Sequence, residues 1–239
     1  MVKMFDRNMF IMMISIMVGV LIITFFIADL QRKGEIEELE RVHSTEIKVL
    51  EEKNIDFTSS FLSSIGDLDR AREFRASGNY FFELGSIWYV SAWSENNASK
   101  MEVYKSWTID NCSNAIIKFQ HSYGNFVVAN INFEKGKSLT SYQGYIDLID
   151  LYMNLSLSGA NLSSLRMQAS NYLIYLAENV TFVQGEVAFI PDSNMSEILG
   201  LYNQTLEFYG NELEYYKGIE DEIEKEYDII GFSEDREAF

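Results

Sequence analysis

The residues that most often carry catalysis or bind metals are scarce in this chain. Its 239 residues include two histidines, His43 and His121, and one cysteine, Cys112. Two histidines far apart in sequence and one thiol do not make a typical zinc site on their own. The chain also has no glycine-rich phosphate loop, no HExxH motif and no GxSxG motif. The sequence therefore predicts a protein that is not an enzyme and that has no cofactor or metal.

Three features of the chain have weaker chemical interpretations: His121, Cys112 and the acidic C-terminal segment. His121 could join a serine and an acid in a hydrolytic triad, although a hydrogen-bonded structural role is the simpler interpretation. Cys112 could cross-link two chains, or it could be a buried and unreactive thiol. The acidic C-terminal segment, 219–239, could bind divalent cations weakly, or it could form a solvated helix face.

Asparagines offer a different chemistry, the attachment of a sugar to the side-chain amide. Seven of the 17 asparagines begin an Asn-X-Ser/Thr triplet without proline, where chance would give roughly two. Asn helix caps and Ser-rich loops also produce such triplets. The surplus nevertheless predicts an N-glycosylated domain outside the cell membrane. The candidate acceptors are Asn97, Asn111, Asn154, Asn161, Asn179, Asn194 and Asn203.

An apolar segment precedes all seven triplets. Residues 8–28 contain no charged side chain, and 21 helical residues at about 1.5 Å each span the bilayer core of roughly 30 Å. The segment exceeds the apolar part of a cleaved leader, which is about 7–15 residues long. It predicts an uncleaved signal anchor. Basic residues lie on both sides, so the charge rule does not orient it. The triplets orient it, because all of them follow the segment. They predict a cytoplasmic tail at 1–7 and an extracytoplasmic domain.

Charge and composition limit the partners and the fold. The net charge of −17 repels nucleic acid, so no nucleic-acid partner is expected. The single proline, Pro191, favours long helices, and the hydrophobic content of 47% suffices for a core. We therefore expect an all-α protein. It would have one N-terminal membrane helix, a juxtamembrane helix at 29–57 and an acidic helical domain at 58–239.

Apolar periodicity divides this domain into four to five antiparallel helices. The juxtamembrane helix carries a narrow apolar stripe that suits a coiled coil with a second copy or packing on its own domain. Turns are expected at 95–99, 134–138 and 190–194. Gly159 is expected to break a helix, with Asn161 capping the next one. At such an exposed corner, Asn154 would be modified more fully than Asn161. Val180 and Val183 continue the stripe of that next helix.

The last helix has the clearest pattern. Leucine and tyrosine alternate at steps of three and four over about three heptads, which predicts a helix-packing seam. Because each tyrosine hydroxyl needs water or a partner, we expect this seam at the edge of the bundle. Its residues are Leu199, Tyr202, Leu206, Tyr209, Leu213 and Tyr216.

One short stretch, GNYFFELGSIWY at 78–89, resembles the first helix and turn of a tetratricopeptide repeat. Gly78, Tyr80, Leu84, Gly85 and Trp88 carry the resemblance, which covers about twelve residues. The chain departs from the pattern where the second helix should have alanines, since Val90 and Asn97 stand there. Asn79, Asn125 and Asn171 also recur at equal intervals in similar contexts. A paired-helix repeat array is therefore the alternative to a bundle.

These features predict a non-enzymatic membrane-anchored protein with a structural, adaptor or assembly role at the cell surface. Its partners would be the lipid bilayer, through 8–28, and other membrane or surface proteins or a second copy of itself. A ligand-sensing helical domain that acts through a partner is one alternative. An accessory subunit of a membrane protein complex is another.

Overall fold

The computed structural model describes the backbone of residues 2–183, 186–189 and 194–227, and the side chains of 24–25, 28–180 and 194–226. Internal contacts divide the chain into two compact units, Met1–Asn54 and Ile55–Phe239. The elements in chain order are α1 (Val2–Ser94), α2 (Ala98–Lys137), α3 (Gln143–Glu178), β1 (Val180–Val183), β2 (Glu186–Phe189) and α4 (Met195–Tyr227).

The first unit is helical throughout its described backbone. The apolar stripe of the predicted juxtamembrane helix faces solvent, with Leu39 and Leu50 about two-thirds exposed. Within the part of the chain that the structure describes, no helix is both long and apolar enough to cross a lipid bilayer. The predicted anchor, 8–28, falls almost wholly on residues whose side chains lie outside the described set.

The second unit is a four-helix bundle, and this confirms the helical bundle that the sequence predicts. Ser60 Oγ donates to the carbonyl of Asn132 at 2.9 Å and Ser122 Oγ donates to that of Ala71 at 2.8 Å, so α1 and α2 are antiparallel. Ser122 also contacts Ser163 at 2.9 Å, between α2 and α3. Arg72 on α1 forms an ion pair with Glu220 on α4, so α4 packs beside α1. The connectivity is therefore up-down-up-down.

Small and large side chains alternate along the buried faces of this bundle. On α2, small residues recur at every seventh position. A second series with the same spacing lies between them and contains Cys112 and three phenylalanines. Where a small residue on one helix faces a large one on its neighbour, as Gly78 faces Phe119, the backbones can approach closely. The small series are Ser64, Ala71, Gly78, Gly85 and Ala92 on α1, and Thr108, Ala115, Ser122, Ala129 and Gly136 on α2.

Gly78 and Gly85 show this close approach, and their surroundings argue against a repeat array. A β-carbon at Gly78 would lie 2.7 Å from the Phe119 ring, and one at Gly85 would lie 2.5 Å from Cys112 Sγ. Both glycines therefore serve packing between α1 and α2, helices of 93 and 40 residues, which are far longer than those of a tetratricopeptide unit. Asn79, Asn125 and Asn171 lie on α1, α2 and α3 of the bundle rather than in three repeat units.

Two predictions about local structure were wrong. Gly159 does not break a helix, because α3 continues from Gln143 to Glu178 and the glycine is buried against the Phe126 ring. Asn161 therefore caps no helix. Val180 and Val183 lie on β1, which pairs with β2 in an antiparallel hairpin, and not on a helical stripe. The turns at 95–97 and 138–142 lie at or near the predicted places, whereas 190–193 lie outside the described residues.

Candidate functional site

Three of the seven candidate acceptor asparagines lie at helix ends. Asn97 is the N-cap of α2, with an extended backbone, and its Oδ1 accepts the Lys100 amide proton at 3.1 Å. Asn194 directly precedes α4, and its carbonyl accepts the Ile198 amide proton at 2.9 Å. Asn179 ends α3, and its Nδ2 donates to the Tyr175 carbonyl at 2.8 Å. Asn97 and Asn194 are exposed and Asn179 is half-buried.

The other four acceptors lie inside helices. Asn111 is on α2, Asn154 and Asn161 are on α3, and Asn203 is on α4. Asn154 and Asn161 are exposed, but they occupy the middle of a continuous helix and not the predicted corner between two helices. The physical basis for ranking Asn154 above Asn161 is therefore absent, since that ranking required Asn161 to cap a helix.

The predicted seam on α4 divides into a buried and a more exposed half. Tyr209 and Tyr216 are buried, with only 1% of Tyr216 exposed, while Leu199 is 45% exposed. Tyr202, Leu206 and Leu213 are half-buried. The tyrosines therefore face the bundle interior, and Tyr216 does not lie at the edge as predicted. Its hydroxyl is buried but has a partner, because it accepts a hydrogen bond from Arg72 Nε at 3.0 Å.

Arg72, Tyr216 and Glu220 form a buried polar network between α1 and α4. Arg72 Nη2 donates to Glu220 Oε1 at 2.8 Å, and the two side chains are only 12% and 11% exposed. Burial raises the pKa of the Glu220 carboxyl above its usual 4.5, and the guanidinium of Arg72 opposes that rise in pKa only in part.

The sign of this pKa shift gives a pH prediction. Because the folded state binds the Glu220 proton more tightly than the unfolded state, this titration favours folding below pH 4.5 and the advantage is lost as pH rises through the raised pKa. We expect the unfolding free energy of the native chain, minus that of Glu220→Gln, to fall as pH is raised from below 4.5 through the raised pKa. Denaturant titration across this range measures it. Glu214→Gln, at an exposed position, is the control, and a difference that rises with pH would contradict the assignment.

Two further arginines lie at core positions. The Arg75 guanidinium carbon is 4.2 Å from the Tyr216 ring centroid, and that of Arg166 is 3.9 Å from the Tyr209 ring centroid. Cation–π contact accounts for their place beside the tyrosines. Arg75 Nη1 and Arg166 Nε are inaccessible to water and form no hydrogen bond to the described residues. Sequence reasoning missed this layer, although arginines at inward heptad positions were a signal for it.

The residues considered for catalysis do not come together. Cys112 is buried, and this burial raises the pKa of its thiol to about 12, so it is a poor nucleophile at neutral pH. His43 and His121 are exposed, and the His121 ring lies 5.2 Å from that of Phe74. Among the described side chains, no group of three or more His, Cys, Asp or Glu residues is placed to bind a metal ion.

A shallow groove of about 530 Å³ runs between α3 and α4. Its lining combines three amide side chains, Ser164 and Glu212 with two apolar groups, Leu165 and the half-exposed ring of Phe208. Such a surface has both hydrogen-bonding groups and apolar contacts, which is the chemistry of a small-molecule site. The amides belong to Asn161, Gln168 and Asn211.

These acceptor asparagines, buried arginines and polar groove have no counterpart from which a role could be transferred. Comparison of the chain with protein families, with curated proteins and with solved structures finds no match.

Proposed function

We propose that this protein is a single-pass membrane protein whose acidic helical bundle lies outside the membrane and has a structural, adaptor or assembly role. In this proposal residues 1–7 are cytoplasmic, 8–28 form the anchor and the bundle is N-glycosylated. Its partners are the lipid bilayer and other membrane or surface proteins or a second copy of itself. The role involves no catalysis.

The surplus of acceptor triplets is the observation that carries the proposal. All seven follow the apolar segment, and five of their asparagines are exposed in the bundle: Asn97, Asn154, Asn161, Asn194 and Asn203. The close packing of the bundle, together with the exposed apolar side chains on its surface, supports a binding or spacing role.

Protease treatment of intact cells, followed by mass mapping of the asparagines, tests this topology. We expect external protease to digest the bundle and to spare a tag placed before residue 1. We also expect sugar masses on peptides from the bundle. Variants with each triplet Ser or Thr changed to Ala control for sugar attached elsewhere. A bundle that resists protease in intact cells and has seven bare asparagines would overturn both the topology and the glycosylation.

The groove between α3 and α4 favours a second candidate function, a ligand-sensing domain that acts through a partner protein. Its amides, hydroxyl and carboxylate, beside Leu165 and one exposed ring, suit a small molecule that has both polar groups and an apolar face, such as a sugar. A thermal-shift screen of soluble sugars, with Phe208→Ala as the control that removes the ring, distinguishes the candidates. Sensing requires a stabilisation that Phe208→Ala abolishes.

A further inference from the structure

Six acceptor triplets have the side chains of both their asparagine and their Ser or Thr within the described set, and these six form two structural classes. Asn97 and Asn194 begin triplets at the N-terminal ends of α2 and α4. The others begin triplets inside helices, at Asn111, Asn154, Asn161 and Asn203. Since the acceptor motif is defined by the asparagine and the hydroxyl residue together, a transferase must reach both.

Inside a helix the two residues of a triplet point in nearly opposite directions, because positions i and i+2 do not share a face. The hydroxyl residues of three internal triplets, Ser156, Ser163 and Thr205, are buried in the bundle. Ser163 Oγ, for example, bonds both Ser122 Oγ and the Gly159 carbonyl. An enzyme outside the folded bundle cannot reach these hydroxyls.

The fourth internal triplet is held apart by its own helix. Asn111 Nδ2 donates to the Trp107 carbonyl at 2.7 Å, and Ser113 Oγ donates to the Ile109 carbonyl at 2.7 Å. Each group is therefore bonded to the preceding turn, and the two groups lie on different sides of α2. The acceptor amide is free only when it leaves the Trp107 carbonyl, and the two groups come to one side only if α2 unwinds.

The two helix-end triplets differ from the internal ones both in the exposure of their hydroxyl residues and in the hydrogen bonding of their asparagines. Ser99 and Ser196 are exposed, as are their asparagines. The N-cap bond of Asn97 uses Oδ1 and bends the side chain over the first turn, which contains Ser99, while Nδ2 takes no part in that bond. Met101 and Met195, shortly after the two asparagines, lie in the same buried cluster, so both triplets are at one end of the bundle.

We propose that the folded protein presents only Asn97 and Asn194, among these six, for N-glycosylation, and that sugars at the four internal sites must be added before the helices form. This inference rests on the proposed glycosylation. The sugars added after folding would then cover one end of the bundle, opposite the end at which Phe57 and Phe61 pack.

The chemical step needs a donor that supplies an activated sugar, such as a polyprenyl-linked diphosphate. A bond forms between the asparagine Nδ2 and the anomeric carbon of the sugar. The bond from that carbon to the diphosphate oxygen breaks, the amide loses one proton, and the leaving diphosphate carries away the bonding electrons. No oxidation or reduction occurs.

The test uses the full chain, made without sugars, folded in mild detergent and incubated with an oligosaccharyl transferase and a lipid-linked sugar. Asn179→Gln is present throughout, because Thr181 of that triplet lies outside the described side chains. Seven short peptides, one for each triplet, are modified in parallel. Since unfolded fractions of stable proteins are about 10⁻³ or lower, we expect rates at the four internal sites to be at least about 100-fold below that at Asn97.

Two variants test which sites accept the sugar on the folded chain. Asn97→Gln with Asn194→Gln should leave the folded chain almost unmodified, while the fourfold Asn→Gln variant at 111, 154, 161 and 203 should accept sugar as the parent does. Modification of Asn154 or Asn161 on the folded chain, at a rate near that of its peptide, would overturn the inference. Protein from its own cells with no sugar anywhere would refute the proposed glycosylation but would leave the rates on the folded chain to decide this inference.

Discussion

Replacement of Arg72 by Met is expected to lower the free energy of unfolding by about 3–5 kcal/mol. The change removes the guanidinium that binds Glu220 at 2.8 Å and Tyr216 at 3.0 Å. Both acceptors are then left in the bundle interior without that donor, and desolvation of the carboxylate is opposed only by the weaker effects of Arg75 and of the Tyr216 hydrogen bond. Thermal or denaturant unfolding of the full chain, followed by circular dichroism, measures the loss.

Arg70 provides a matched control for this substitution. It lies on the same helix, its side chain is 68% exposed, and the ion pair that it forms with Asp67 is at 3.4 Å. Arg70→Met should cost less than about 1 kcal/mol. Arg72→Met combined with Glu220→Leu should recover most of the lost stability, because neither charge then remains buried. Equal losses for Arg70→Met and Arg72→Met would show that the buried network contributes little.

Replacement of Gly159 by Ala is expected to destabilise the bundle by about 1–3 kcal/mol, although alanine is the better helix former. A β-carbon at this position would overlap three atoms of the Phe126 ring, which is itself fully buried. The helix or the ring must therefore move. Denaturant unfolding of the two proteins gives the difference in free energy.

The same substitution elsewhere should have the opposite sign. Gly210 is exposed on α4 and a β-carbon there would meet nothing within 4 Å, so Gly210→Ala should stabilise the protein by up to about 1 kcal/mol. In a Phe126→Ala background, where the ring is absent, Gly159→Ala should cost far less than it does in the native chain. If Gly159→Ala were stabilising in both backgrounds, close packing at this site would be refuted.

Local patterns predicted a helical bundle and turns at or near 95–97 and 138–142. The leucine and tyrosine spacing predicted α4, whereas α3 was expected as two helices and the β1–β2 hairpin was not predicted. Gly159 was misinterpreted because low helix propensity of glycine is a local property, whereas the Phe126 ring that requires a glycine lies 33 positions away. Sequence spacing along α3 contains no information about which side chain of α2 it faces.

The candidate site was predictable in its residues but not in its arrangement. The seven triplets are visible in the sequence, but which hydroxyl residues are buried depends on contacts such as that of Ser122 with Ser163. The tyrosine seam was expected at the bundle edge because a buried hydroxyl needs a partner. That partner for Tyr216 is Arg72, 144 positions earlier, and no periodicity connects the two.

The alternation of small and large residues also determines how the bundle can change in length. A deletion of one residue would rotate the rest of a helix by about 100° and remove its small positions from the interface. Seven residues can be removed without such a rotation, but the neighbouring helices must lose the same seven-residue step to keep Gly78 and Gly159 opposite phenylalanines. The bundle therefore has permitted lengths that differ by about 10 Å, and the distance between its two ends can evolve only in those steps.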